Sequence, residues 1–573
     1  MTATAWMRAP WRGGPSTASP ALGWDERLAG LLVWALAAGL MLFLAWPLGS
    51  ILGQALTVPD GSLVSAAGLW AMLAEPRLMQ AAGQSVWLAL LSTAIVLPLA
   101  LAYAFALTRT RLPGRALWRL LALVPLLAPS LMPAISLVYL FGNQGWLKAW
   151  LGASSIYGPI GIVIGEVFYT FPHAVLILTT ALAVADARLY EAAETLGASK
   201  PRRFLTVTLP QARHGLISAA MVVFTLVVTD FGVPKVIGGQ TPVLALEAYK
   251  QVIGQQNFHK GALIGLMLLV PALLSVWIER RLARGPSAQL SGRSVAFVPP
   301  RNPWRDGLLG LFCTAMGVFL LAMLGVAVFA SFVKLWPYQM SLTWAHYGFD
   351  DVDGGGWAAF FNSINLSLLT AGGGTLAVFA SAYLTSKVTA PRGPAVLIRV
   401  LAQLPMAVPG LVLGLGYVFC FNDPTHPLHG LYGGMALMVL ATIVHFFTTA
   451  YLTVDGALRQ IAPEIEAVGQ SLQRPWWTTC LRVTVPISLP ALIDVARYLF
   501  VSAMTTVSAV IFLYTPDTPL ASVSVLAMDD AGDTAAAAAM ATLIVLSSLA
   551  VTLLLSLAGW ALQRRTQAWR RAG

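Results

Sequence analysis

The sequence predicts an all-α polytopic membrane protein, with twelve transmembrane helices arranged as two tandem six-helix halves. Composition is the first reason. Of 573 residues, 57% are apolar and only 10% are charged, with a mean hydropathy of +0.74, whereas soluble domains carry about a quarter charged residues. The second reason is length: apolar stretches of about 20 residues recur, each able to cross roughly 30 Å of hydrocarbon. They show no period-2 alternation, which excludes an outer-membrane barrel. The third is the placement of positive charge, taken up below. Only three cysteines occur, Cys313, Cys420 and Cys480, too far apart in sequence to suggest a disulfide framework or a zinc site.

Residues 1–27 are rich in Pro, Gly and Arg and are expected to form a cytoplasmic tail. The apolar run from Leu28 to about Leu56 is too long for a signal-peptide core and is expected to be retained as the first span. Further spans are expected to start near Gln84, Ala116, Tyr157, Leu216 and Gly261, which makes residues 28–280 a first half. A polar, Pro/Gly-bearing linker, 281–307, leads to a second half at 308–563 and a tail at 564–573. Its spans start near Leu308, Asn362, Val396, Leu431, Pro490 and Ala535. With both termini cytoplasmic, 28 of the 35 Lys and Arg fall on the cytoplasmic side, six fall opposite, and Arg497 lies inside a span. That skew is the positive-inside rule. It accounts for the net charge of +11 without any nucleic-acid partner.

The halves are copies of one another. Gln84-Ser85 answers to Asn362-Ser363, and Ala102-Tyr103 to Ala382-Tyr383. Pro125 and Pro129 answer to Pro405 and Pro409, and Val207 to Pro210 answers to Val483 to Pro486. All offsets lie between 276 and 280, so the copies run in the same orientation. Prolines at matching places inside spans are tolerated where a neighbouring helix or a cavity satisfies the backbone, so they mark either packing kinks or a pathway. A duplicated chain suits a pore at the interface of its halves.

In each half the fourth and fifth spans are joined by a cytoplasmic loop far longer than a turn needs: residues 186–215 and 455–490. In the first loop, Glu191 to Leu196 has the pattern of a short helix. Gly197 can supply its left-handed stop, and Pro201 forbids its continuation. Leu189, Ala192, Ala193 and Leu196 form a small apolar stripe at helical spacing.

Glu191-Ala192-Ala193, followed by Gly197 and Pro210, resembles the coupling motif of importer permeases of the ATP-binding cassette class. The resemblance implies a short helix seated in a groove on an ATP-hydrolysing subunit. The coupling residues would be Glu191, Ala192, Ala193, Gly197 and Pro210 in the first loop, and Glu466, Ala467, Leu472 and Pro486 in the second. It further implies two copies of a cytoplasmic ATP-binding subunit, a periplasmic solute-binding protein, and a site in the bacterial inner membrane. No cofactor is implied for this chain, since ATP and Mg would be bound by the partner. The second loop departs from the motif: Ala467 stands where Glu191 is, Gly469 where Ala193 is, and Gln473 where Gly197 is, with Glu466 one position early. Its helix is therefore expected to be rotated or to end differently.

Longer strings narrow the resemblance. Val227 to Gly239, Tyr249 to Phe258, Leu404 to Tyr417 and Ala503 to Asp533 resemble fused permeases for 2-aminoethylphosphonate, whose wider relatives include fused permeases for ferric iron. The implied cargo is a small polar solute, 2-aminoethylphosphonate first and ferric iron as the alternative. An ion-driven secondary carrier would also offer two six-span repeats but has no use for the long loops. Lys235, Lys250 and Lys260 between spans five and six face Asp517, Asp529, Asp530 and Asp533 between spans eleven and twelve. This predicts one basic and one acidic wall at the extracytoplasmic mouth.

No G-x-x-x-x-G-K-[ST] phosphate loop occurs, so the chain is not expected to be an enzyme. Ionisable residues inside spans are functional candidates because burying them is costly. Glu166 and His173 fall in the fourth span, Asp230 in the fifth and His445 in the tenth. Asp494 and Arg497, in the eleventh, are expected to pair locally. Asp230 has a claim to the pathway because Gly232 and Pro234 interrupt its helix. Glu166 joins it as a candidate, with Thr505, Thr506 and Ser508 as the corresponding group of the second half; that hydroxyl cluster equally suits core hydrogen bonding.

Overall fold

The computed structural model describes residues 23–57, 62–183, 187–282, 297, 299–388 and 391–566. Most of the tails and of the linker expected from the sequence, and Asp186 at the head of the first loop, lie outside the described residues.

Among the described residues, nine helices are long and apolar enough to cross a membrane, and up to twelve spans result when three bent helix pairs each count as one. In the first half the spans are Trp24–Ala55 (span 1), Pro76–Arg109 (span 2), Arg115–Leu127 with Leu131–Phe141 (span 3), Pro159–Ala183 (span 4), Lys200–Thr229 (span 5) and Phe258–Glu279 (span 6). In the second they are Pro303–Ala330 (span 7), Gly356–Ser386 (span 8), Arg392–Ala407 with Gly410–Phe421 (span 9), Met435–His445 with Phe447–Arg459 (span 10), Trp476–Thr505 (span 11) and Thr534–Arg564 (span 12).

One expectation, the start of spans 5 and 11, needs correction. Spans 3 and 9 bend by 97° and 116° at the paired prolines. Pro129 and Pro409 lack the N–H that a helix needs there, and their rings exclude the helical path. Spans 5 and 11 begin far upstream of Leu216 and Pro490, so the cytoplasmic loops are mostly helical. Pro210 and Pro486 do not interrupt them, because each follows a π-turn, Phe204–Thr208 and Cys480–Thr484. Widening the turn by one residue absorbs the missing N–H without a break.

The halves interlock reciprocally. Span 1 packs on span 6 of its own half and on spans 8 and 9 of the other; span 7 packs on span 12 and on spans 2 and 3. Spans 2, 4 and 5 form one bundle, and spans 8, 10 and 11 its counterpart. One tie follows from Pro47. It has no N–H for the Phe43 carbonyl four residues back, and the Tyr417 hydroxyl of the other half donates to that oxygen at 2.6 Å. The matching tie runs from Ser136 Oγ to the Met323 carbonyl.

The serine repeat also has a structural role. Ser85 Oγ accepts from the Leu244 N–H at 2.9 Å, and Ser363 Oγ from the Ala521 N–H at 2.8 Å. Each serine satisfies the start of a short helix, Leu244–Tyr249 and Ala521–Asp530 respectively, which is left with orphan donors like any helix N-terminus. These helices lie at the ends of the two bundles opposite the long loops between spans 4 and 5 and spans 10 and 11.

The arrangement makes a topological prediction. The three native cysteines are buried, whereas Leu196 is 85% and Tyr338 73% exposed. A membrane-impermeant thiol reagent added to intact spheroplasts is expected to label Tyr338→Cys at once and Leu196→Cys only after permeabilisation. Labelling of both from outside would overturn the assignment of sides.

Candidate functional site

Every break in a span meets at one place. A cavity of about 210 Å³ lies between the halves, lined by the proline breaks of spans 3 and 9, the break of span 10 at His445-Phe446, and the ends of spans 5 and 11. Broken helices expose backbone groups, which in hydrocarbon is tolerated only where protein or water satisfies them. The cavity is where this chain concentrates them.

The first half contributes Ser130, Tyr169, Thr225, Thr229 and Asp230, and the second His445, Thr505 and Ser508. Span 5 ends at Thr229, and a new helix, Gly232–Ile237, starts two residues on. Asp230 caps it, its Oδ2 accepting from the Val233 N–H at 2.8 Å. Behind Asp230 lies Glu166, fully buried, with the Asp230 carboxyl as its interacting neighbour. Thr442 takes the place of Glu166 in the second half and spends its hydroxyl on the Met438 carbonyl at 2.7 Å. Thr506 takes the place of Asp230. Its carbonyl accepts from Ser522 Oγ at 2.6 Å, while the Thr505 hydroxyl donates to the Val501 carbonyl at 2.9 Å. The carboxylates of the cavity region therefore come from the first half.

The copies also exchange a contact. A side chain at Gly232 would collide with Ser130 Oγ, and one at Gly410 with Ser508 Oγ. Each half brings one serine hydroxyl against one glycine, but from opposite partners in sequence. His445 Nε2 lies beside Gly410, and its Nδ1 has no partner. His173, one turn from the cavity lining, faces Tyr169 at 5.9 Å between rings. Asp494 and Arg497 pair locally, as expected, at 2.8 Å, with Ser556 as a further partner of Arg497.

At the mouth the expected basic wall does not form. Lys235 pairs with Asp530 at 3.0 Å across the two halves, and Lys260 with Glu75 at 2.7 Å. Lys250 and Arg77 share Glu247, at 3.6 and 3.1 Å. Two of the three lysines are thus neutralised by carboxylates of their own half, and one by an aspartate of the expected acidic wall. Burial pushes the Asp529 carboxyl up to about 6, with the neighbouring Asp530 adding to the shift and Lys235 opposing it.

On the cytoplasmic side each half presents a short helix, Ala187–Thr195 and Glu464–Ser471. Glu191 and Ala192 are exposed and Ala193 half-buried, as are Ala467 and Gly469 at the corresponding depths. Leu196 and Leu472 follow the helices, at 85% and 67% exposure, with nothing from this chain covering them. The expectation that the second helix ends differently is corrected. Gly197 has φ +71° and Gln473 has φ +51°. Ala198 N–H bonds to Ala193 O and Arg474 N–H to Gly469 O, while Gly197 and Gln473 bond back to Glu194 and Gln470. Both ends are the same Schellman turn, held in the second half despite the Cβ of glutamine. Glu466 is also placed otherwise than expected: it turns inward against Lys387, so its carboxylate is not offered to a partner.

The chain was compared with known proteins. The family described as the binding-protein-dependent transport system inner membrane component matches residues 94–287 and 382–567, one match in each half. The ferric transport system permease protein FbpB of Actinobacillus pleuropneumoniae is 25% identical over 78% of this chain and 67% of its own length. The Fe(3+)-transport system permease protein FbpB 2 of Haemophilus influenzae is 25% identical over 83% of this chain and 89% of its own. The molybdenum transport system permease protein ModB of Mycobacterium bovis is 31% identical over 36% of this chain and 80% of its own. A protein matched over 80% of its length by 36% of this chain, less than one of its two halves, is what a duplicated permease unit requires.

The left-handed stops give a paired prediction. Gly197→Val is expected to destabilise the first helix end by about 1 kcal/mol or more, and Gln473→Gly to stabilise the second by a comparable amount, since a Cβ in this region costs roughly 1–2 kcal/mol. Hydrogen exchange of the Ala198 and Arg474 amides reports each change, and faster exchange at Arg474 in Gln473→Gly would contradict it.

Proposed function

The chain belongs to the family of binding-protein-dependent transport system inner membrane components, and on that premise we propose that it imports a positively charged small solute by alternating access. It is a multi-pass permease. A separate ATP-hydrolysing subunit, one copy under each coupling helix, drives the cycle, and a periplasmic binding protein delivers the cargo. Exposed Leu196 and Leu472, one per half and related by the internal repeat, support the two docking points.

One observation carries the charge preference. Asp230 reaches the cavity with Glu166 buried behind it, and among the described residues no Lys or Arg lines the cavity. Buried carboxylates without a counter-charge favour a cation. Ferric iron is the cargo this supports best, because it prefers hard oxygen donors such as carboxylate, phenol and hydroxyl, and because the relatives named above include two iron permeases. 2-Aminoethylphosphonate is the second reading. The ammonium end of such a molecule suits Asp230, and its other end suits His445 and Ser508 across the cavity. Its support from the lysines of the mouth is gone, since each has an acidic partner.

Uptake of labelled ferric iron and of labelled 2-aminoethylphosphonate in cells dependent on this permease separates the cargoes. Asp230→Asn is expected to lower uptake of the true cargo about tenfold or more while the chain still co-purifies with its ATP-hydrolysing subunit. Uptake of 2-aminoethylphosphonate without iron would reject the iron assignment alone. Full activity of Asp230→Asn would reject the charge argument for both.

A further inference from the structure

The second span of each half ends at a cation that the cytoplasmic helix of that half encloses. In the first half it is Arg109, the last residue of span 2 and almost wholly buried. Its Nη2 donates to the Leu182 carbonyl at the end of span 4, at 2.8 Å. Its guanidinium lies 5.0 Å from the ring centre of Tyr190, on the helix Ala187–Thr195, and 4.5 Å from that of Phe297, from the linker between the halves. Tyr190 in turn bonds Thr208, in the π-turn ahead of span 5, at 2.9 Å.

In the second half the same position is Lys387, which follows span 8 directly. Its Nζ donates to the Ile461 carbonyl just beyond span 10, at 2.8 Å. The residue standing where Tyr190 stands is Glu466, and its carboxylate lies 3.6 Å from Nζ, with both side chains at least 87% buried. The first half therefore ties its helix by a guanidinium on an aromatic face, and the second by an ion pair. The place and the span are the same; the receiving carbonyl lies three residues further along in the second half, and the chemistry differs. This accounts for an acidic residue one position early in the second loop.

We propose that Arg109 with Tyr190, and Lys387 with Glu466, are the positioning pairs that transmit movement of the two cytoplasmic helices to the membrane bundles. The proposal rests on the assignment of those helices as the contacts with the ATP-hydrolysing subunit. Each pair joins the helix to span 2 or span 8, which packs on span 5 or span 11, and these last two spans end at Thr229 and Thr505 in the cavity lining. Without the tie a helix could follow its partner while the bundle stayed behind. A guanidinium held against two rings in one half, and a buried ion pair in the other, each join the helix to its span.

The test uses the intact complex of this chain with its ATP-hydrolysing subunit and binding protein, measuring solute moved and ATP hydrolysed on one preparation. The solute is whichever of ferric iron and 2-aminoethylphosphonate the unmodified chain moves. Lys387→Met is expected to keep assembly and basal hydrolysis but to move about tenfold less solute per ATP. Two double variants are expected to recover to within about threefold of the unmodified chain: the charge reversal K387E/E466K and the transplanted first-half pair K387R/E466Y. If Lys387→Met fails to assemble, the doubles decide: recovery in either supports the proposal, and recovery in neither overturns it. Unchanged solute per ATP in Lys387→Met also overturns it. Absence of any bound ATP-hydrolysing subunit on the unmodified chain would instead defeat the assignment of the helices.

Discussion

Inside a membrane a backbone carbonyl that loses its donor has no water to replace it, and this chain's prolines create that situation repeatedly. Each case is resolved differently, and the resolutions assemble the molecule. At Pro47 the freed Phe43 carbonyl is taken by Tyr417 from the other half, which helps lock span 1 onto the opposite bundle. At Pro210 and Pro486 a π-turn absorbs the defect and lets a cytoplasmic helix run on into the membrane. At Pro129 and Pro409 the helix breaks outright, and the exposed groups gather around a cavity.

Duplication preserved the geometry of these solutions more faithfully than their chemistry. Ser85 and Ser363 cap equivalent helices with the same bond. Around the cavity, by contrast, Glu166 and Asp230 stand opposite threonines, and the serine–glycine contact is exchanged between partners. Two separately encoded identical subunits could not do this. A fused chain can place its carboxylates on one side only, giving a cavity with a charged pole and a hydroxyl-and-imidazole pole. The cytoplasmic ties show the same divergence, with an aromatic face in one half and a carboxylate in the other.

Mutual neutralisation also shapes the extracytoplasmic mouth. Lys235 and Asp530 belong to different halves and meet at 3.0 Å, with both members partly exposed, which keeps such a pair weak.

The sequence by itself determined the class, the span count, the duplication and the two cytoplasmic helices. All of these follow from composition, charge skew and local pattern, which act over a few residues or through the bilayer. It marked Gly197 as a left-handed stop and Asp494–Arg497 as a local pair for the same reason. Only the tertiary structure decided matters that depend on what lies opposite. It showed that Gln473 holds a left-handed turn, closed by the Gln473 and Arg474 amide hydrogen bonds, against a local preference of about 1–2 kcal/mol. It neutralised the expected basic wall of the mouth, because Glu75 and Asp530, far away in sequence, are folded against Lys260 and Lys235. It made Glu466 a clamp for Lys387 rather than a contact for a partner, since the partner of a charge is set by packing and no local pattern records it.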